Sequence, residues 1–307
     1  MKKFFILSFL FLLPLVLGFV LLEKRLAKIP NSYNQKKTRI ETKLNDIEFL
    51  VVGTSHTLYG VDPEQFSHKG FNLANISQTP YYDARLVEAY IGKLPKLKMV
   101  IIPMSYFTFY KQLHKGVEDW RVYFYYYYWN IPIPEHSIFD FNKYSLFTIY
   151  SPYTVLGFAR QGFKNSGAPN YTEFGFEKKT TTTPINDGTG KDRVELLTKE
   201  YNDTNYINGL ADVEYLLKLL KTKNIIPVFV TTPCYSTYYD NLNPTILNRN
   251  KIVIDSLCRK YGIQYFDHLK DSRFAIDDFA DNDHLNFTGA QKFSKILDSE
   301  VVKPIMK

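Results

Sequence analysis

Short apolar runs alternate with longer segments of helical periodicity along much of this chain. The runs with strand character are residues 47–52, 100–103, 225–230 and 263–266. The segments with apolar side chains at helical spacing are residues 83–94, 205–222, 244–261 and 288–301. Strands that alternate with helices form parallel sheets with helices on both faces. The pattern therefore predicts an α/β fold with three layers, α/β/α, built on a parallel sheet.

The first predicted strand ends in a turn that carries a serine. Val51 and Val52 close an apolar run, and Gly53 allows the chain to bend sharply where the strand stops. Ser55 then lies at the carboxyl edge of the sheet, where open α/β folds bind their ligands. A serine hydroxyl is a useful nucleophile at neutral pH when an imidazole takes its proton and a carboxylate orients that imidazole.

A histidine and several carboxylates near the C-terminus offer the other two members of such a triad. His284 follows Asp281 by three residues. The other candidates for the carboxylate are Asp277, Asp278 and Asp283. Only the Asp-x-x-His spacing favours Asp281, and it gains weight from the strand before the serine and the helix after the histidine. His56 adjoins the serine, but neighbouring side chains at a strand end point apart, so we expect it in a pocket wall.

Two blocks of the chain resemble the SGNH, or GDSL-like, hydrolase superfamily. Residues 53–63 are similar to its serine block, and Asp281 with His284 matches its Asp-x-x-His pattern. The resemblance implies a flavodoxin-like parallel sheet. It also implies that Ser55 is the nucleophile, His284 the general base and Asp281 the acid that orients the base.

One donor of the oxyanion hole has no counterpart in this sequence, because the third block of this superfamily, Gly-x-Asn-Asp, is missing. The corresponding strand runs into Met104-Ser105-Tyr106 instead. The backbone N–H of Ser55 is one expected donor. Residues 71–77 resemble the second block, and Asn75 within them is the expected second donor. One such donor stabilises a transition state by about 3 to 4 kcal/mol.

The N-terminus contains 19 uncharged residues, 4–22. As a helix they would be about 28 Å long, close to the thickness of a bilayer's hydrocarbon core. Lys2 and Lys3 precede them and no Ala-x-Ala site follows, which favours an uncleaved signal anchor, although Val16-Leu17-Gly18 leaves cleavage open.

Two observations favour opposite orientations of this anchor in the membrane. The three basic residues after it, Lys24, Arg25 and Lys28, favour a cytoplasmic domain by the positive-inside rule. The resemblance, however, extends to membrane-anchored relatives that work outside the cytoplasmic membrane, among them the D-alanine transfer protein of teichoic acid and the alginate O-acetylation proteins. We therefore expect a single-pass protein of the cell membrane with an extracytoplasmic domain.

The expected domains are the anchor at 1–22, a basic stalk at 23–45 and the α/β domain at 46–307. The strand and helix alternation stops at about 107–201, which predicts an insertion. This insertion is rich in aromatic residues, with seven in a row at 123–129. Such rings could stack on sugars, lie in a bilayer interface or pack against one another. Within the insertion, residues 178–193 are expected to form a mobile loop.

Charge and composition limit the partners. The net charge of +7 suggests an anionic membrane surface or an anionic glycan, and no nucleic acid is expected because no dense basic tract occurs. Cys234 and Cys258 are expected to be buried thiols. They lack metal-ligand spacing and the chain has no phosphate-binding glycine loop, so we expect neither a metal nor a cofactor.

Two classes of function fit these features. The first is a membrane-anchored serine esterase or O-acyltransferase, which would take an acyl group from a donor or from an acyl-bearing glycan of the cell envelope. The second is a non-catalytic protein that binds glycan or acts as a scaffold in an envelope-polysaccharide assembly. A lipid esterase or thioesterase is a third possibility, and it would need a deep apolar pocket.

Overall fold

A computed structural model describes residues 1–163 and 171–306. Its five strands are β1 (Phe49–Val51), β2 (Gly70–Asn72), β3 (Met99–Pro103), β4 (Ile226–Thr231) and β5 (Gln264–Asp267). All neighbouring strands are parallel, and their order in the sheet is β2-β1-β3-β4-β5. This is the strand order of flavodoxin-like folds. The predicted α/β fold with a parallel sheet is therefore confirmed.

Thirteen α-helices lie within the described residues. In chain order they are α1 (Lys2–Leu26), α2 (Ser32–Glu41), α3 (Ser55–Gly60), α4 (Pro80–Ile91), α5 (Val122–Trp129), α6 (Leu146–Ile149), α7 (Pro152–Arg160), α8 (Asp187–Thr198), α9 (Asp203–Thr222), α10 (Ser236–Tyr239), α11 (Pro244–Tyr261), α12 (Phe287–Leu297) and α13 (Lys303–Ile305). Every residue of β1 and β3 is buried. Because successive side chains of a strand point to opposite faces, this burial means that both faces of the sheet are covered.

The chain divides into two compact units. The sheet unit is formed by Lys36–Asp119 and Asn170–Lys307, and it contains all five strands. The aromatic unit is formed by Met1–Gln35 and Trp120–Pro169. Of the insertion expected at about 107–201, the aromatic unit therefore takes only the middle part, together with the N-terminal residues.

Part of the aromatic unit packs on itself. The ring of Tyr33 stacks on Phe124 at a centroid distance of 5.0 Å and meets Tyr125 edge-on at 5.0 Å. All three rings are buried. The same unit contains α1, which is the one helix among the described residues that is long and apolar enough to cross a membrane.

One local expectation was wrong. Residues 178–193 do not form a mobile loop throughout, because α8 begins at Asp187. Its N-terminus is held by a reciprocal capping box, in which Asn186 Oδ1 accepts from the backbone N of Thr189 at 3.0 Å and Thr189 Oγ1 accepts from the backbone N of Asn186 at 3.2 Å. Within residues 23–45, the expected stalk, the structure has the last residues of α1 and the helix α2.

Candidate active site

The turn after β1 presents Ser55 as the first residue of α3. Gly53 in this turn has a φ of +114°, and a Cβ atom there would lie 2.1 Å from Cγ of Pro103. Only glycine fits such a position. Thr54 then caps the helix, because its Oγ1 accepts a hydrogen bond from the backbone N of His56 at 3.2 Å.

A buried carboxyl group supports this turn from below. Asp83 Oδ1 accepts hydrogen bonds from the backbone N of Gly53 at 2.8 Å and from Nε2 of Gln78 at 2.6 Å. Burial raises the pKa of Asp83 to about 7, even though both hydrogen bonds lower it. The backbone N of Asn75 donates to the carbonyl of Gly53 at 3.0 Å, so Asp83 and Asn75 hold this residue from two separate segments.

Ser55, His284 and Asp281 form a continuous hydrogen-bonded chain. His284 Nε2 lies 2.7 Å from Ser55 Oγ, and His284 Nδ1 lies 2.8 Å and 3.0 Å from the two carboxylate oxygens of Asp281. Ser55 and His284 are buried. The sequence separates them by 229 residues, and the carboxyl edge of the sheet brings them together.

The Asp-x-x-His spacing has a local physical cause. Asp281 Oδ1 accepts hydrogen bonds from the backbone N of Asp283 at 3.1 Å and from the backbone N of His284 at 2.8 Å. These bonds fold the loop back on its own carboxylate and bring the imidazole against it. Lys179 Nζ lies 3.2 Å from Asp281 Oδ2 and holds the carboxylate from the other side.

A second buried carboxylate lies beside the first. Asp283 Oδ1 is 3.3 Å from His284 Nδ1, and Asp283 Oδ2 is 3.1 Å from His56 Nε2 and 2.9 Å from Arg193 Nε. His56 Nδ1 lies 3.0 Å from Ser105 Oγ, at the end of β3. His56 is thus a link in a buried polar network, which extends from Ser105 to the general-base candidate.

The charges of this cluster follow from its burial and contacts. Burial alone would lower the pKa of His284, but the neighbouring carboxylates of Asp283 and Asp281 raise it above the ordinary value. Burial opposes ionisation of Asp283, yet His284 and Arg193 hold the pKa of that carboxyl well below its usual range. Burial lowers the pKa of His56, more than its contact with Asp283 raises it. The lowered pKa favours the neutral imidazole, whose Nε2–H would donate to Asp283 and whose Nδ1 would accept from the Ser105 hydroxyl.

Three of these groups also meet closely enough to be considered as metal ligands. Among the described residues, His56, Asp283 and His284 each offer a donor atom, and these atoms lie within 4.8 Å of one another. The Arg193 guanidinium forms an ion pair with the Asp283 carboxylate. The His56 imidazole contacts Ser105, and the His284 imidazole contacts Ser55. The cluster fits a hydrogen-bonded network better than a metal centre.

A cavity of about 630 Å³ opens onto Ser55 and His284. Its apolar lining is Tyr59, Ile76, Phe107, Val117, Leu196 and Leu197. Its charged lining is Lys111, Glu118, Lys179, Arg193, Lys199, Glu200, Asp281 and Asp283. Equal numbers of basic and acidic side chains make the cavity polar without a dominant sign of charge. A separate cavity of about 840 Å³ is lined by none of the three triad candidates.

The comparisons with known proteins add little to this geometry. No protein-family model matches the chain, and no curated protein matches it. Among solved structures, the chain is similar to the crystal structure of a proposed acylhydrolase from Bacteroides fragilis NCTC 9343, at 11% sequence identity and a TM-score of 0.42. The similarity covers 87% of this chain and 93% of that chain. The fold assignment rests on the strand order described above.

Asn75, the expected second oxyanion donor, is buried near the nucleophile turn. Its Oδ1 accepts from the backbone N of Ile76 at 3.0 Å. Of the described residues that line the cavity, Ile76 and Ser77 belong to this segment and Asn75 does not. The oxyanion role of its side chain stays a prediction. The backbone N–H of Ser55 lies in the first turn of α3, where N–H groups have no acceptor within the helix.

Sequence reasoning missed two residues of the site. Arg193 lies in α8, within the segment that was expected to be mobile, and it reaches Asp283 from 90 residues away. Lys179 lies in the same segment. The capping signal at Asn186 and Thr189 could have revealed the helix, but nothing local indicates that Arg193 pairs with a carboxylate.

Proposed function

We propose that this protein is a serine esterase or O-acyltransferase that works through an acyl-enzyme on Ser55. The observation that supports the proposal is the unbroken chain from Ser55 Oγ through His284 to Asp281, with contacts of 2.7 Å and 2.8 Å. These are the contacts that turn a serine hydroxyl into a nucleophile. They also agree with the sequence's resemblance to SGNH hydrolases.

The proton transfers of the proposed reaction pass through these side chains. Ser55 Oγ attacks the carbonyl carbon of an acyl ester while His284 Nε2 takes the hydroxyl proton. The tetrahedral intermediate collapses, and His284 returns that proton to the departing alcohol oxygen. His284 then takes a proton from an acceptor hydroxyl or from water, whose oxygen attacks the acyl-enzyme. The bond between the acyl carbon and Ser55 Oγ breaks, and His284 returns the proton to Ser55 Oγ. Asp281 keeps the proton on Nδ1 throughout, so that Nε2 faces the serine.

We propose a glycan hydroxyl of the cell envelope as the group that exchanges the acyl unit. The cavity before Ser55 combines two aromatic rings, Tyr59 and Phe107, with polar side chains that suit hydroxyl-rich ligands. Glu118 accepts a hydrogen bond from the Ser77 hydroxyl. Burial lowers the pKa of Lys111 and raises the pKa of Glu200, so both groups are partly removed from water. A polyhydroxylated acceptor would offer hydrogen-bond partners to both of these cavity-lining groups. Anchoring by α1, with the sheet unit outside the cytoplasmic membrane, is part of this proposal.

Ester turnover tests the proposal. The full chain in detergent should hydrolyse a short-chain chromogenic acetate ester, and Ser55→Ala should lower kcat by at least about 10³-fold. Ser272→Ala is a matched control, because this exposed serine lines the other cavity. Equal activity of the wild type and Ser55→Ala would refute the nucleophile.

A glycan-binding or scaffold protein is the second candidate. The observation that favours it is Met104-Ser105-Tyr106 after β3, where the resembling superfamily carries the asparagine that donates to the oxyanion. This candidate predicts that a folded wild-type chain binds envelope glycan and that Ser55→Ala binds it equally well, while neither shows ester turnover.

A further inference from the structure

The aromatic unit carries a patch of apolar side chains that face outward. Ile138, Phe139 and Phe141 have exposed fractions of 71%, 75% and 72%, and Tyr144 and Phe147 are exposed beside them. We call these five residues the apolar patch. Soluble proteins rarely expose so many large apolar side chains within ten residues.

The charged groups of the same segment are turned inward instead. Asp140 accepts hydrogen bonds from the backbone N of Asn142 at 3.1 Å and from the hydroxyl of Tyr123 at 3.0 Å. Lys143 is buried, and its Nζ donates to the carbonyl of Ser137 at 2.8 Å. This polarity is the reverse of that expected for a surface in water. It suits a surface that lies in an apolar environment.

The apolar patch is continuous with the helix that could span a membrane. The ring of Phe147 lies 6.2 Å from the ring of Phe19 in α1. Glu23 closes the apolar stretch of α1, and its carboxylate accepts from the backbone N of Leu146 at 3.0 Å and from that of Phe147 at 2.9 Å. Its Oε1 also accepts from Ser145 Oγ at 2.5 Å. The Glu23 carboxylate, which would lie at the edge of the bilayer, therefore has hydrogen-bond donors from the protein.

The depth of the patch follows from these contacts. Phe19 precedes Glu23 by four residues, which is a rise of about 6 Å along a helix. The Phe147 ring is therefore level with the last turn of apolar residues in α1, where aromatic side chains of membrane proteins concentrate. Three exposed basic residues, Lys24, Arg25 and Lys28, follow this last turn of apolar residues.

We propose that the apolar patch is a membrane-docking surface, which lies in the interfacial zone of a bilayer that contains anionic phospholipid. The basic residues pair with the headgroup phosphates, and the patch enters the boundary between headgroups and acyl chains. A single membrane-spanning helix, α1, would leave the aromatic unit free to change its orientation to the membrane surface. The patch adds a second attachment and fixes the aromatic unit against the lipid surface.

A fluorophore at residue 139 tests this. The full chain with Cys234→Ala and Cys258→Ala receives Phe139→Cys, is labelled with an environment-sensitive NBD dye in detergent, and is reconstituted into phosphatidylethanolamine and phosphatidylglycerol vesicles. Ile252→Cys is the matched control, because Ile252 is an apolar side chain of the sheet unit that is 60% exposed. Thermal unfolding of both variants checks that they are folded.

The proposal predicts a blue-shifted emission at position 139 and quenching by lipids brominated near the headgroup, with neither effect at position 252. Emission typical of water at both positions would overturn it. A blue-shifted emission at position 139 that brominated lipid does not quench, and that increases with the density of protein in the vesicle, would also overturn the proposal. In that case a second copy of the chain covers the patch.

Discussion

Asp283 Oδ2 lies 3.1 Å from Nε2 of His56, the histidine that adjoins the nucleophile in sequence. Because the other oxygen of this carboxylate lies 3.3 Å from His284 Nδ1, the two imidazoles share one buried anion. Arg193 neutralises that anion at 2.9 Å. His284 thus contacts two carboxylates through Nδ1, Asp281 at 2.8 Å and Asp283 at 3.3 Å, and only Asp283 is shared with His56 and Arg193.

The two aspartates should therefore respond differently to neutralisation. Asp281→Asn is expected to lower kcat by about 10²- to 10⁴-fold with little change in stability, because it removes the group that orients the base. Asp283→Asn is expected to destabilise the fold by about 1.5 to 3 kcal/mol, because it leaves the half-buried Arg193 without the counter-charge of a buried carboxylate. Steady-state kinetics and thermal unfolding of both variants separate these effects. A larger loss of kcat in Asp283→Asn, at unchanged stability, would assign the orienting role to Asp283.

The acid limb of the pH–activity profile should lie at a higher pH than an ordinary histidine base would give. His284 acts as a base only when neutral, and its carboxylate neighbours raise its pKa above the ordinary 6.5. As the pH falls through this raised pKa, kcat/KM should decrease. Asp281→Asn removes one of the neighbours, so the acid limb of its residual activity should move to lower pH. An acid limb at the same pH in both proteins would contradict the contact between His284 and Asp281.

The support beneath the nucleophile should depend on the oxygen of Asp83 rather than on its charge. Asp83→Ala removes the acceptor for the backbone N of Gly53, which should shift the turn and lower kcat by up to about 10²-fold. Asp83→Asn keeps an oxygen acceptor and resembles the protonated acid, so its kcat should stay within a few fold of the wild type. Equal losses in the two variants would show that the charge is what matters.

Lys36 should make stability depend on pH in the alkaline range. Its Nζ is buried and donates to the carbonyls of Asn72 and Ala74, and burial lowers its pKa from 10.5 to about 7. Between these two pH values the unfolded chain binds more protons than the folded one. The free energy of unfolding should therefore rise with pH, by at most about 1.4 kcal/mol per pH unit. Denaturant unfolding of Lys36→Met should show a smaller rise than the wild type; equal slopes would contradict the burial of this ammonium.

Much of the sheet was predictable because its central strands are apolar throughout. β3 and β4 fall within one or two residues of the expected segments. β2 was not predicted, since Gly70–Asn72 has neither alternation nor an apolar run. It is held by pairing with β1 and by Asn72 Nδ2, which donates to the carbonyls of Thr57 and Val61 at 2.8 Å each. Such long-range contacts leave no periodic signal.

The candidate site likewise contains one part that is local in sequence and one part that depends on long-range contacts. The spacing of Asp281 and His284 is a local feature, since the loop folds on the carboxylate through its own backbone N–H groups. The roles of His56 and Arg193 depend on tertiary contacts across 227 and 90 residues. Neither role could be read from neighbours in sequence.

Covalent labelling tests the central claim most directly. The full chain, folded in detergent, is treated with a fluorophosphonate probe, and the adduct is located by intact mass and peptide mapping. We predict a single adduct on Ser55, absent from Ser55→Ala and strongly slowed in His284→Ala, because the imidazole activates the serine. An unlabelled wild-type chain that is folded, or an adduct on Ser105 in place of Ser55, would contradict the proposed triad.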